Sequence, residues 1–223
     1  MPTTPKGVFY PDGSWTFPPG LSGSGGAFQT MAESIDDTLD KSGMTIIDSF
    51  KLTGSADGVT FSNIPQTYSD LVIIWGGDTD VSNNYGRVAV RMNGDATAGN
   101  YHGMTACQNL KAGGLLSTFQ YGGNDGVTPQ AAGRIGWAGS DKSGGWAHLP
   151  QYTSNQPKIM SGWGTAQKGN GSTGDTDYTR QTFFLASARW VGTAAVTSIF
   201  IYADGTQLFE AGSTFALFGV PII

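Results

Sequence analysis

The amino-acid sequence predicts an all-β protein: an antiparallel β-sandwich of jelly-roll type, with an extended N-terminal arm and one short N-terminal helix. Three observations carry that expectation. Apolar and aromatic residues come in short runs, punctuated by Gly, Asn, Asp and Ser. Glycine is abundant, at 34 residues against 10 prolines, and charged residues make up 13%, about half of the roughly 25% usual in soluble domains. Past residue 43 no amphipathic helix is available as a crossover, so about ten short strands have to pair antiparallel.

The first 27 residues are rich in Pro, Gly and Ser, and Pro2, Pro5, Pro11, Pro18 and Pro19 remove backbone donors. Regular structure is not expected there. Phe9, Tyr10, Trp15 and Phe17 nevertheless supply aromatic anchors, either for packing onto the chain's own domain or for docking on another subunit. Phe28 to Leu39 is the one good helix, with Phe28, Met31, Ala32, Ile35 and Leu39 at three- and four-residue spacing and Ser42-Gly43 as its stop. A helix this short is not stable alone in water. Its stripe has to meet its own sheet or copies of itself. Residues 1–43 therefore read as an attachment and association segment, and residues 44–223 as the sandwich.

Within the sandwich, Met44 to Thr53 alternates and Val59 to Ser62 is a short return strand. Asp70 to Trp75 is apolar on both faces and belongs at the centre of a sheet. Gly86 to Met92 turns Val88, Val90 and Met92 inward, and Asn93-Gly94 closes it as a turn. From Leu110 to Gly174 the pattern suggests short strands between long loops. Thr182 to Trp190 follows. The chain ends on Ile199 to Tyr202 and Phe215 to Phe218, which read as a pair joined by a turn at Ala203-Asp204-Gly205-Thr206. Phe200, Tyr202, Phe215 and Phe218 exceed what one small core requires, which suggests that this pair also meets neighbouring copies.

Composition excludes several functions. The net charge is −5 and the 12 Lys and Arg are scattered, so no nucleic-acid groove is expected. The single cysteine, Cys107, allows neither an intrachain disulfide nor a cysteine-based zinc site. No run reaches the ~18 apolar residues of a membrane span, and the first residues lack a signal-peptide layout. Folding in a cytoplasm is the expectation.

No catalytic residue is assigned, and the protein is not expected to be an enzyme. His102 and His148 lie in no nucleophile context. Gly169 to Gly174 matches G-x-G-x-x-G but is followed by Asp175 and Asp177, where a phosphate would be repelled. Asp78, Asp80, Asn83 and Asn84 offer oxygens but lack Ca²⁺-loop spacing, so no metal and no cofactor is expected. Trp137, Trp146 and Trp163 lie near His148 and Tyr152. Trp146, His148, Tyr152 and Trp163 are the candidate surface-ligand site, because loop aromatics stack on sugar faces; core packing is the competing account.

Five stretches together carry a family resemblance: FSNIPQTYSDLVII (Phe61–Ile74), VRMNGDATAGNYHG (Val90–Gly103), LPQYTSNQPKIMSG (Leu149–Gly162), ARWVGTAAVTSIFI (Ala188–Ile201) and EAGSTFALFGV (Glu210–Val220). In residues, order and spacing they resemble a domain of tailed-bacteriophage structural proteins, mostly fibre and tail components. AESIDDTL within the helix is similar to the short helix near the N-terminus of phage fibre-like proteins. The resemblance implies a homotrimeric β-sandwich on a virion, assembled in the host cytoplasm and partnered by other tail or capsid proteins. A short tail fibre or receptor-binding component, with a host-surface glycan as ligand, is the first expectation. A capsid decoration or head-fibre protein is the second, and a free carbohydrate-binding module is the alternative from another class. Deleting residues 1–43 is expected to abolish incorporation into particles while the remaining sandwich still folds, measured by particle composition and circular dichroism.

Overall fold

A computed structural model describes residues 43–80, 86–97, 99–110, 116–123, 133–138, 141–168, 180–204 and 207–221. The N-terminal arm, the helix from Phe28 to Leu39, Asn83 and Asn84, the Gly169–Gly174 stretch, Asp175, Asp177 and the Gly205-Thr206 turn lie outside the described residues. Ile46–Val220 forms one compact unit.

That unit is built on twelve named strands: β1 (Thr45–Lys51), β2 (Gly58–Phe61), β3 (Asp70–Gly76), β4 (Gly86–Met92), β5 (Tyr101–Leu110), β6 (Leu116–Gly123), β7 (Gly133–Ala138), β8 (Asp141–Pro150), β9 (Lys158–Lys168), β10 (Arg180–Trp190), β11 (Ile199–Asp204) and β12 (Thr214–Val220). An eight-stranded sheet runs in the order β1-β12-β3-β8-β9-β10-β5-β6, and a four-stranded sheet runs β2-β11-β4-β7. The ladders with resolved register are all antiparallel. The described residues thus form an all-β sandwich. Along the chain β1 to β4 alternate between the sheets, β7 and β8 cross again, and β11 and β12 cross once more. The hairpins β5–β6 and β9–β10 stand outside this alternation and widen only the large sheet.

Alternation of side chains decides which face of each strand is buried. Leu71, Ile73 and Trp75 of β3, Val88, Val90 and Met92 of β4, and Phe215 and Leu217 of β12 meet in the core between the sheets. Asp70–Gly76 is central as its two-sided apolar pattern requires, with β12 on one side and β8 on the other. Arg91 lies on the outer side of β4, over the Tyr202 ring at 4.6 Å. Ala89 is buried there beside Tyr202 and Phe200.

Two expectations change. The closing strands are not a hairpin: β11 pairs with β2 and β4 in the small sheet, whereas β12 pairs with β3 in the large one. The link between them crosses the sandwich, because each strand presents an apolar face to the same core from opposite sides. Phe215 is accordingly buried, edge-on to Phe209 at 4.9 Å. Phe200 and Tyr202 stack on each other at 5.0 Å on the outer side of the small sheet. The middle of the chain likewise holds long strands where short ones are expected. β8, β9 and β10 have 10, 11 and 11 residues.

Glycine makes those long strands compatible with large rings. Trp75 and Phe184 stack at 6.2 Å with planes 8° apart. They lie where Gly145 and Gly164 carry no side chain: a Cβ on Gly145 would come within 3.0 Å of the Trp75 ring, and one on Gly164 would collide with the Gly144 carbonyl and come within 2.6 Å of Phe184. Gly164→Ala is expected to destabilise the fold by about 1–3 kcal/mol through overpacking, read as a lower midpoint in chemical denaturation.

Candidate functional site

Four loops meet at one end of the sandwich and are knitted there by side-chain hydrogen bonds. Asn93 and Gly94 both adopt positive φ, 53° and 69°, which turns the chain after β4. Asp95 N–H then donates to the Met92 carbonyl at 3.0 Å. The Asn93 amide donates to Ala195 O at 2.8 Å and its Oδ1 accepts from Thr197 N–H at 2.8 Å. Asp95 gathers more: Oδ2 accepts from Trp190 Nε1 at 2.7 Å and from Asn100 Nδ2 at 2.8 Å, and Oδ1 accepts from Thr97 N–H at 2.9 Å. Tyr101, buried beneath, accepts from Met92 N–H at 2.9 Å and donates to Asp95 O at 3.0 Å. Burial pushes its phenol up to about 12.

The two remaining loops are tied to the same place. Tyr152 O–H donates to the Pro65 carbonyl, Val196 N–H donates to Tyr152 O at 2.9 Å, and Gln66 Nε2 donates to Val196 O at 3.0 Å. Lys158 is 1% exposed. Its ammonium donates to Ser154 O at 2.7 Å, Gln156 O at 2.5 Å and Thr193 O at 3.4 Å. Burial lowers its pKa. These carbonyls supply the hydrogen bonds that a buried cation requires. The arrangement ties the loops to one another.

A different surface is open. On the outer face of the large sheet, cross-strand pairing sets Ile74 beside Trp146, Trp146 beside Trp163, Trp163 beside Leu185 and Leu185 beside Ala106. One apolar row therefore crosses five strands. Trp146 and Trp163 meet edge to face at 6.1 Å, and Phe183 lies 6.2 Å from Trp163. Met104, Trp146, Ser161, Trp163, Leu185 and Ser187 line a shallow groove of about 380 Å³ on this face. His148 is adjacent, with Nε2 3.1 Å from Asp70 Oδ2.

Of the candidate ligand residues, Trp146, His148 and Trp163 share this face, and they stand on strands where loops are expected. Tyr152 does not join them. It is fully buried, with its hydroxyl spent on Pro65, because the loop after β8 turns its ring into the core. The Trp137 side chain, like the candidate attachment residues Phe9, Tyr10, Trp15, Phe17, Phe28, Met31, Ile35 and Leu39, lies outside the described residues. Sequence reasoning missed Ile74, Met104, Phe183 and Leu185 on the open face. The signal was present in Thr182 to Trp190, which is apolar at consecutive positions. Among the described residues no group of three His, Cys, Asp or Glu side chains is placed to share a metal ion. Comparison with known proteins finds no matching family, no matching curated protein and no matching solved structure.

The Asp95 carboxylate has a titration consequence. Burial raises its pKa, but the bonds from Trp190, Asn100 and Thr97 together outweigh that and hold it far below its ordinary 3.8. A carboxylate depressed in the folded state contributes stability above its unfolded value and loses it as pH falls below that value. Asp95→Ala is expected to cost about 1–3 kcal/mol at neutral pH, since the group is partly exposed. The variant should also show a shallower loss of stability below about pH 4, followed by denaturant titration across that range.

Proposed function

We propose that the chain is a structural protein of a tailed-phage virion, a homotrimeric short tail fibre or receptor-binding component joined to the particle by its N-terminal arm. One observation carries the reading. Four of the five stretches on which the family resemblance rests come together at the knitted end. Phe61–Ile74 brings Pro65 and Gln66, Val90–Gly103 brings Asn93, Asp95 and Tyr101, Leu149–Gly162 brings Tyr152 and Lys158, and Ala188–Ile201 brings Trp190 and Val196. Residues scattered over the sequence but bonded to one another in space are what a shared fold requires. The fifth stretch supplies β12, which lies between β1 and β3 in the large sheet.

The strand order supports a jelly roll as the frame. Eight strands form two four-stranded sets, β1-β12-β3-β8 facing β2-β11-β4-β7, with β5–β6 and β9–β10 as inserted hairpins. Such a frame holds its shape through the sandwich core and asks nothing of a catalytic site, in keeping with a displayed structural role.

A second reading, a free carbohydrate-binding module, draws on the Trp146–Trp163 pair beside His148. Against it stand the aliphatic neighbours Ile74, Leu185 and Met104, which offer a sugar no hydrogen bonds, and the burial of Tyr152. Imaging purified particles with the protein labelled is expected to place it on the tail, in groups of three. Label on the capsid would favour the decoration or head-fibre role, and particles lacking the protein would refute the virion assignment.

A further inference from the structure

We infer that the outer face of the large sheet, over β8, β9, β10 and β5, is where copies of this chain meet. The inference rests on the self-association part of the proposed function and gives it a location. Of the four rings of the closing strands, Phe215 belongs to the sandwich core, Phe200 and Tyr202 stack on the outer side of the small sheet, and Phe218 pairs with Val72 of β3.

The first argument is size. Ile74, Met104, Ile159, Trp163, Phe183 and Leu185 are each between 41% and 58% exposed. At roughly 200 Å² for a large apolar side chain, half-exposed, they present on the order of 600 Å² of apolar surface. The largest patch on a typical monomer is about 300–600 Å². A standard interface buries about 800 Å² per partner. With Trp146 and the polar positions between these residues, the face reaches what one side of a stable contact needs.

The second argument is charge. Outward positions run Gly144, Trp146, His148 on β8, Ser161, Trp163, Thr165 on β9, and Phe183, Leu185, Ser187 on β10. None is Asp, Glu, Lys or Arg. Arg189 and Asp70 sit at one margin. A chain of net charge −5 that meets itself does so most favourably through a region bearing no like charges. A charged partner would leave its own groups without complements here.

The third argument is shape. The face is the outside of paired strands, with rings that already brace one another. It is pre-ordered, so association costs little side-chain entropy. The shallow groove between Met104 and Trp163 accepts a side chain from a neighbouring copy around the shared axis.

The test uses the full chain. Mass photometry of the wild type, of Leu185→Glu and of Ser161→Cys is combined with circular dichroism. The wild type is expected to run as a multimer. Leu185→Glu, on an exposed strand position, is expected to keep the same spectrum and fall to the mass of a single chain. Ser161→Cys is expected to form a covalent dimer under mild oxidation that the wild type does not form. If the wild type is a multimer and Leu185→Glu stays one with no cross-link at position 161, the face is not the contact and self-association stands elsewhere. If the wild type is itself a monomer, self-association fails, and this face with it. Should Leu185→Glu lose its fold, the cross-link alone decides.

Discussion

Asp95 is the interaction on which the rest of the sandwich end depends. Its carboxylate receives bonds from Trp190 at the end of β10, from Asn100 just before β5 and from Thr97 in its own loop. Charge-assisted bonds of this kind are stronger and shorter than neutral ones. They also fix direction, because a carboxylate with two oxygens cannot serve three donors unless each approaches along its own line. The Tyr101–Trp190 stack, 6.5 Å apart, is held by the same residue from the opposite side. The start of β5 and the end of β10 thus share one anion, at the end of the 10-residue ladder between them.

The stability logic differs between the two halves of the molecule. In the frame, apolar faces of both sheets bury one another and the energy is diffuse. At the knitted end it is concentrated in a few polar groups, with Lys158 held by three backbone carbonyls. Opening these loops gives up three charge-assisted hydrogen bonds at once. The loops 151–157 and 191–198 are thereby tied to each other through one side chain, although they have no regular hydrogen-bond ladder.

Much of the frame was legible in the sequence, and the reasons are physical. Alternation in Val88, Val90 and Met92, and two-sided apolarity in Asp70–Gly76, report the environment of single strands, which is a local property. Asn93-Gly94 reports a backbone conformation that few other residues adopt. What failed was long-range. Nothing local distinguishes two strands joined by a turn from two strands that cross between sheets, so β11 and β12 were paired with each other instead of with β4 and β3. Trp146 and Trp163 looked like loop residues because the glycines around them mimic turns. Those glycines instead make room for Trp75 and Phe184. Tyr152 gave no signal that its hydroxyl has a carbonyl waiting 87 residues earlier in the chain.

Among the described residues, the side chains that fasten the two hairpins of the large sheet gather at one end. Tyr101, Lys158 and Trp190 secure them where the loops are knitted; at the other end, β9 and β10 run out to Lys168 and Arg180. A strand changes faces with every residue and returns after two. Lengthening or shortening both partners by two residues at the far end leaves each remaining side chain on its face and the knitted end in place. The extent of the outer face can therefore vary in steps of about 7 Å per added pair, while Met160, Phe184 and Trp190 of β9 and β10 keep their places in the core. Its breadth is an adjustable dimension on a constant frame.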